Sequence, residues 1–228
     1  MPNLAVLQPL PQANRTSVMI FGPKGGLGKT TIAAHLLVAA AKAGYSVLGI
    51  DFDPQKTLAR WLSDRTSNPN SKGLSQFDLA TAKIRDWQDV WQHVADYDLT
   101  VLDTPPGIEG QEAAIFDLAE AVDLVLIPSG TSKYDWDIAV EWMARLKERG
   151  LRKARFVINK VPDFRRRSFV RVQTLLSKHG AMMPAVLPLR DDIFLSTDQG
   201  LTTVDLCDAK GGPEFDLLWN NVHQELDL

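Results

Sequence analysis

Residues 18–31, VMIFGPKGGLGKTT, restrict the fold more than any other stretch of the chain. Four apolar residues run into a glycine-rich turn and a lysine–threonine pair, and a helix-patterned segment, residues 32–43, follows at once. Strand, glycine loop and helix in that order form a phosphate cradle. Gly25, Gly26 and Gly28 have no Cβ, so backbone N–H groups of the loop can converge on an anion. The start of the helix adds unpaired N–H donors and the positive end of its dipole. In this pattern Lys29 reaches the β- and γ-phosphates and the Thr30 hydroxyl ligates Mg²⁺. The nucleotide-binding segment therefore comprises Lys24, Gly25, Gly26, Leu27, Gly28, Lys29, Thr30 and Thr31.

At 228 residues, 45% hydrophobic and 23% charged, the chain suits one α/β domain with its own core. The lone cysteine, Cys207, excludes an internal disulfide framework and is expected to pack as a small apolar residue. No apolar run approaches the roughly 18 residues that would span a bilayer, and the N-terminus has no secretory pattern. The expected compartment is the cytoplasm. Residues 1–16, with three prolines and no clean period, read as an extended arm preceding a single domain over residues 17–228.

Along that domain, short apolar runs end in loops rich in chemistry. Residues 46–50 close in Asp51-Phe52-Asp53-Pro54-Gln55, and residues 99–102 lead into Asp103-Thr104-Pro105-Pro106-Gly107. Residues 124–127 end at Pro128-Ser129-Gly130, residues 155–158 at Asn159-Lys160, and residues 185–187 at Pro188. Helical patterns lie near residues 111–120, 136–149, 168–179 and 215–226. Strands apolar throughout, alternating with helices, predict a mostly parallel twisted sheet with helices on both faces. This is the layout of a single-domain P-loop nucleoside triphosphatase, whose ligands sit at the carboxyl ends of the strands. Residues 63–76 read as a polar surface loop. Asp103, at a strand end, is where a P-loop enzyme places the acid that holds Mg²⁺.

The loop departs from the common pattern. Pro23 stands where glycine is expected, and a second lysine, Lys24, follows it. KGGLGKT resembles the deviant Walker-A loop of the ParA/MinD family of ATPases, and IDFDPQ resembles that family's second acidic signature. The resemblance covers nearly all of residues 17–228. It implies ATP and Mg²⁺ as cofactors, and a homodimer formed on ATP binding with Lys24 reaching the nucleotide of the partner subunit. It also implies that Asp53 positions the attacking water, that Asp51 supports the Mg²⁺ shell, and that Asn159 contacts the adenine edge. Catalysis would then rest on Lys24, Lys29 and Asp53, and metal binding on Thr30, Asp51 and Asp103. A guanine-reading NKxD motif is the rival. Here the carboxylate, Asp163, falls one residue late behind Pro162, so adenine is preferred. Without an arginine finger in cis, hydrolysis is expected to be slow and partner-stimulated.

Between residues 145 and 171 eleven Lys/Arg face two acids, a local balance of +9 in a chain of net −3, so the rest carries −12. Such segregation marks a polyanion surface. Arg152, Lys153, Arg165, Arg166, Arg167 and Arg171 are the candidate DNA contacts, meeting phosphates without reading sequence. A solvated helix face is the plainer alternative. Residues 211–228 contain four acids and no Lys or Arg, unlike the basic membrane helix of MinD-like proteins, so no membrane contact is expected. Phe215, Leu218, Trp219 and Val222 instead fall at helical spacing and are expected to dock on the body. The resemblance is to short ParA-type proteins without an N-terminal DNA-reading domain. It implies a nucleoid-associated switch that partitions a plasmid or chromosome through a ParB-like adaptor. The alternatives are a positioning ATPase for a protein assembly such as chemoreceptors, or a metabolic P-loop enzyme, which would need a second substrate pocket.

Overall fold

The structure, a computed structural model, describes residues 15–107, 109–162 and 166–228, the side chains of residues 166–168 excepted. The expected N-terminal arm lies outside the described residues up to Arg15. Seven strands form one sheet: β1 (Thr16–Ile20), β2 (Val47–Asp51), β3 (Asp78–Thr81), β4 (Leu99–Asp103), β5 (Leu124–Ser129), β6 (Ala154–Val161) and β7 (Met182–Pro188). Their order is β3-β2-β4-β1-β5-β6-β7, and every pairing is parallel. Parallel neighbours need crossovers, and helices supply them on both faces.

The helices are α1 (Lys29–Lys42), α2 (Thr57–Ser67), α3 (Trp87–Trp91), α4 (Glu112–Ala121), α5 (Lys133–Glu148), α6 (Arg166–Leu176), α7 (Asp191–Thr197) and α8 (Gly212–Glu225). Side chains alternate across the sheet as strand geometry requires. Val18 and Ile20 join the core beneath α1, α2, α7 and α8, while Met19 enters the opposite core beneath α3, α4, α5 and α6. This two-sided burial is why the central strands are apolar at every position. Among the described residues no helix is long and apolar enough to cross a membrane.

Two expectations change. Residues 63–76 are not all loop, because α2 runs to Ser67. Arg65, fully buried, anchors that helix by pairing both Nη atoms with Asp205 at 2.7 and 2.9 Å. Cys207 does not pack inside but is exposed on the segment between α7 and α8. The C-terminal helix does dock, with Phe215, Leu218, Trp219 and Val222 buried.

His35 joins α1 to this C-terminal segment. Its Nδ1 lies 2.7 Å from the Thr31 carbonyl, so that nitrogen carries the proton. Nε2 accepts the Thr203 N–H at 3.2 Å, and Phe215 stacks on the ring at 3.6 Å. A buried neutral imidazole results. Burial lowers its pKa to about 4, against the Thr31 hydrogen bond and the Asp205 charge. The unfolded chain takes up this proton near pH 6.5 and the folded chain only near 4. Stability from His35 is therefore complete above pH 6.5 and lost as pH falls toward 4, by up to about 3 kcal/mol. Urea unfolding of the parent and His35→Gln at pH 7.5 and 5 should show a steeper acid loss in the parent. Equal losses would contradict this assignment.

Candidate nucleotide-binding site

The site forms where β1, β2 and β4 end side by side. Strand register places Ile20, Asp103 and Asp51 in one row, so the phosphate loop rises beside two carboxylates. Lys29 opens α1 and is buried. Its Nζ donates to the Gly22 carbonyl at 2.8 Å and the Lys24 carbonyl at 3.2 Å, curling the loop around the ammonium. Burial pulls this ammonium below the usual lysine range, opposed by Asp103 and Asp53. Gly26 and Gly28 have φ of 77° and 81°, which side chains tolerate poorly, and a Cβ on Gly28 would strike the Asn159 amide. The Gly107 N–H donates to the Pro23 carbonyl at 2.7 Å, tying the loop after β4 to the phosphate loop. Pro23 thus serves with its carbonyl where it offers no N–H.

Asp103 is 0% exposed. One oxygen accepts the Thr30 hydroxyl at 2.7 Å, and the other, also buried, has no hydrogen-bond partner among the described residues. Burial pushes its pKa up to about 7, and the Asp51 charge adds to the rise against the Thr30 bond. An orphaned buried carboxylate oxygen beside a threonine hydroxyl fits Mg²⁺, which takes one or two protein oxygens and fills the rest with water and phosphate. Asp51 is differently placed. Its oxygens accept the Asp53 N–H at 2.9 Å and the Ala59 N–H at 3.0 Å, so it shapes the β2–α2 turn. Asp53 is half-buried, accepts the Gln55 N–H at 2.8 Å through one oxygen, and lines a cleft beside the end of β2.

Lys24 does not join the cradle. Its ammonium, 36% exposed, pairs with Asp135 on α5. Ser132, the N-cap of α5, also donates to Asp135 at 2.6 Å. Burial raises the Asp135 pKa, but the bonds from Lys24 and Ser132 outweigh it and hold the carboxyl below its usual range. Sequence reading missed this partner, although Ser132-Lys133-Tyr134-Asp135 is the signature of a helix start. Asn159, at the end of β6, donates Nδ2 to the Leu27 carbonyl at 2.8 Å and accepts the Lys160 N–H at 2.8 Å. Both its polar ends are thus engaged with protein, whatever adenine contact it makes besides. Thr31, Asn159, Lys160, Pro188 and Phe194 line a narrow slot next to the loop.

The basic stretch divides. Arg152 and Lys153 precede β6, and α6 follows it. Eight strand residues separate those ends, about 25 Å at the usual rise. Lys153 donates to the Glu120 and Val122 carbonyls at the end of α4. Arg145 and Arg149 lie over Trp142 and Phe116, Lys147 donates to the His179 carbonyl, and Arg155 pairs with Glu225. Arg152 and Arg171 are exposed. Arg165 lies outside the described residues, as do the side chains of Arg166 and Arg167. Among the described residues, the basic side chains of the stretch do not converge on one face.

The sequence model of the CobQ/CobB/MinD/ParA nucleotide binding domain matches residues 18–204. The chain belongs to that family. A protein of Gloeobacter kilaueensis named maintenance of carboxysome distribution protein A is 32% identical over 128 residues, covering 56% of this chain and 55% of the relative. The chain thus spans about half the length of that curated relative. Among solved structures, septum site-determining protein MinD of Pyrococcus horikoshii complexed with Mg-ADP superposes with a TM-score of 0.72 at 19% identity. That match covers 91% of this chain and 95% of the other. The pNOB8 ParA structure bound to nonspecific DNA gives 0.67 at 16%, covering 93% and 98%. At those identities the structures attest the shared fold.

The Lys24–Asp135 pair is partly solvated, so its net worth is small. A double-mutant cycle with Lys24→Ala and Asp135→Ala in the ligand-free chain should give a coupling of about 1 kcal/mol or less, shrinking with added salt. A coupling above 2 kcal/mol would mean a fixed structural bridge.

Proposed function

We propose that this chain is a Mg²⁺-dependent ATPase acting as a dimerising switch that positions cargo. The observation that carries the reading is the division between the two loop lysines. Lys29 is buried in the cradle, whereas Lys24 stands outside it on an exchangeable surface partner. In this reading Lys29 and the loop N–H groups bind the phosphates, Thr30 and Asp103 hold Mg²⁺, and Asp53 orients the attacking water. Mg²⁺ supplies charge neutralisation at the β- and γ-oxygens. Lys24 leaves Asp135 to reach the nucleotide of a second subunit. The Mg-ADP complex of the Pyrococcus relative supports the cofactor assignment.

Lys29→Ala should lose ATP affinity, and Lys24→Ala should keep it in the monomer while losing ATP-dependent dimerisation. Calorimetry and light scattering separate the two, and equal loss of monomer affinity refutes the division. Asp53→Ala should bind ATP and remain dimeric, with turnover down at least about a hundredfold. Turnover at the parent rate removes Asp53 from the mechanism.

For cargo, the reading is nonspecific DNA engagement through the α6 side, with an adaptor protein linking the switch to a plasmid, chromosome or protein assembly. The relative solved on nonspecific DNA and the one named for carboxysome distribution support this class. Duplex affinity of the ATP-bound protein should fall with log salt at about −0.9 per phosphate contacted. Arg171→Glu should weaken it on any sequence alike, and Lys153→Ala should not, since Lys153 is committed to α4. The reverse order, or no salt dependence, defeats this assignment.

A second reading has one observation in its favour. A cleft of about 1010 Å³ opens beside Asp53, lined in part by Phe52, Lys56, Lys83, Ile84 and Arg85. That is the size of a small-molecule site, so a metabolic P-loop enzyme with an acceptor substrate is the alternative. ATP turnover that requires an added carboxylate or amine acceptor, and not dimerisation, would favour it.

A further inference from the structure

We propose that Lys160 is a positioning residue for the phosphate loop, holding its N–H groups turned inward before nucleotide arrives. The proposal rests on reading that loop as the nucleotide site. Two consecutive residues at the end of β6 grip two consecutive carbonyls of the loop. Lys160 Nζ donates to the Gly26 carbonyl at 2.7 Å, and Asn159 Nδ2 donates to the Leu27 carbonyl at 2.8 Å. A trans peptide unit is planar, with its C=O and N–H on opposite sides. A Gly26 carbonyl drawn toward Lys160 therefore turns the Leu27 N–H the other way. The Leu27 carbonyl drawn toward Asn159 does the same for the Gly28 N–H. The pair thus fixes the direction of two donors in the centre of the cradle, and preorganised donors need no rearrangement when charge arrives.

The backbone at Lys160 bears out the constraint. Its φ is +56°, in the left-handed region that non-glycine residues enter only under a local hold. The hold is the bond from its own N–H to the Asn159 carboxamide oxygen, 2.8 Å. Gly28 completes the fit, because the Asn159 amide occupies the space where a Cβ would stand. The Lys160 ammonium also lies 5.9 Å from the Phe194 ring centroid, which sets the side chain's course across the slot.

The test uses Lys160→Gly, which adopts the left-handed backbone freely and removes only the side chain, and Lys160→Arg, which keeps charge and donors. Binding of Mg-ATP and of inorganic tripolyphosphate with Mg²⁺ is measured on the full chain, together with melting temperature and backbone amide order parameters. In Lys160→Gly both ligands should weaken by the same factor, about tenfold or more for a lost charge-assisted bond. The Leu27 and Gly28 order parameters in the ligand-free chain should fall below about 0.6, with the melting temperature unchanged. Lys160→Arg should restore all three. Loss confined to ATP would make Lys160 a base contact, and unchanged order parameters would make it a distant charge. Either result overturns the proposal, as does a loss that tracks a lowered melting temperature. A parent chain that binds neither ligand refutes the nucleotide reading instead, and the order parameters then still decide whether Lys160 pins the loop.

Discussion

A carboxylate with no exposure to water and one oxygen without a partner is costly in a folded chain, and among the described residues Asp103 is such a group. The fold tolerates it because the surroundings supply the Thr30 hydroxyl and the nearby Lys29 charge, and reserve a place for a cation. Much of the architecture serves that arrangement. Three central parallel strands end in register, so that the phosphate loop and both carboxylates share one edge of the sheet. Helices pack on both faces of the sheet behind that edge.

The elements read correctly from sequence were those whose signal is local. β1, β2, β4, β5, β6 and β7 are apolar runs, and α1, α4, α5, α6 and α8 carry a helical period. The elements missed take their stability from distant partners. α2 starts at Lys56 in a left-handed conformation without a side-chain cap, and its polar end is fixed by Arg65 reaching Asp205, 140 residues away. β3 is a four-residue edge strand that is nowhere fully buried, so no apolar run announces it. α7 leaves Phe194 and Leu195 largely exposed and so shows no core-facing period. The same holds within the site. The types of Lys29, Thr30 and Asp103 were legible because they sit in one loop and at one strand end. Asp135 and Lys160 act on that loop from more than a hundred residues away, and only the fold brings them there.

Charge counted along a sequence is a different quantity from charge on a surface. Eleven basic residues in 27 suggested one face. In the fold β6 passes through the middle of the run and sends its two ends to opposite edges of the sheet. Several of these cations are satisfied inside the molecule, by ring faces, helix-terminal carbonyls or Glu225. A cation with such a partner loses more on leaving it than it gains from a screened phosphate. In the proposed reading, contact with a polyanion would therefore fall to exposed cations, such as Arg152 and Arg171 among the described residues.

The two loop lysines differ in the same way, and the difference has a direction. Lys29 is enclosed, bonded to two carbonyls and opposed by two carboxylates, so it cannot leave without opening the loop. Lys24 holds one partner across a partly wet gap, where an ion pair is worth about 1 kcal/mol or less. A bond from the same ammonium to a desolvated phosphate oxygen is worth about 1.5–3 kcal/mol. In the proposed reading, exchange of Asp135 for phosphate would thus be downhill once a second subunit excluded water, and uphill while the site stood open. The asymmetry is enough to make a buried lysine a permanent binding group and a solvated one, five positions earlier, a group that responds to what the site contains.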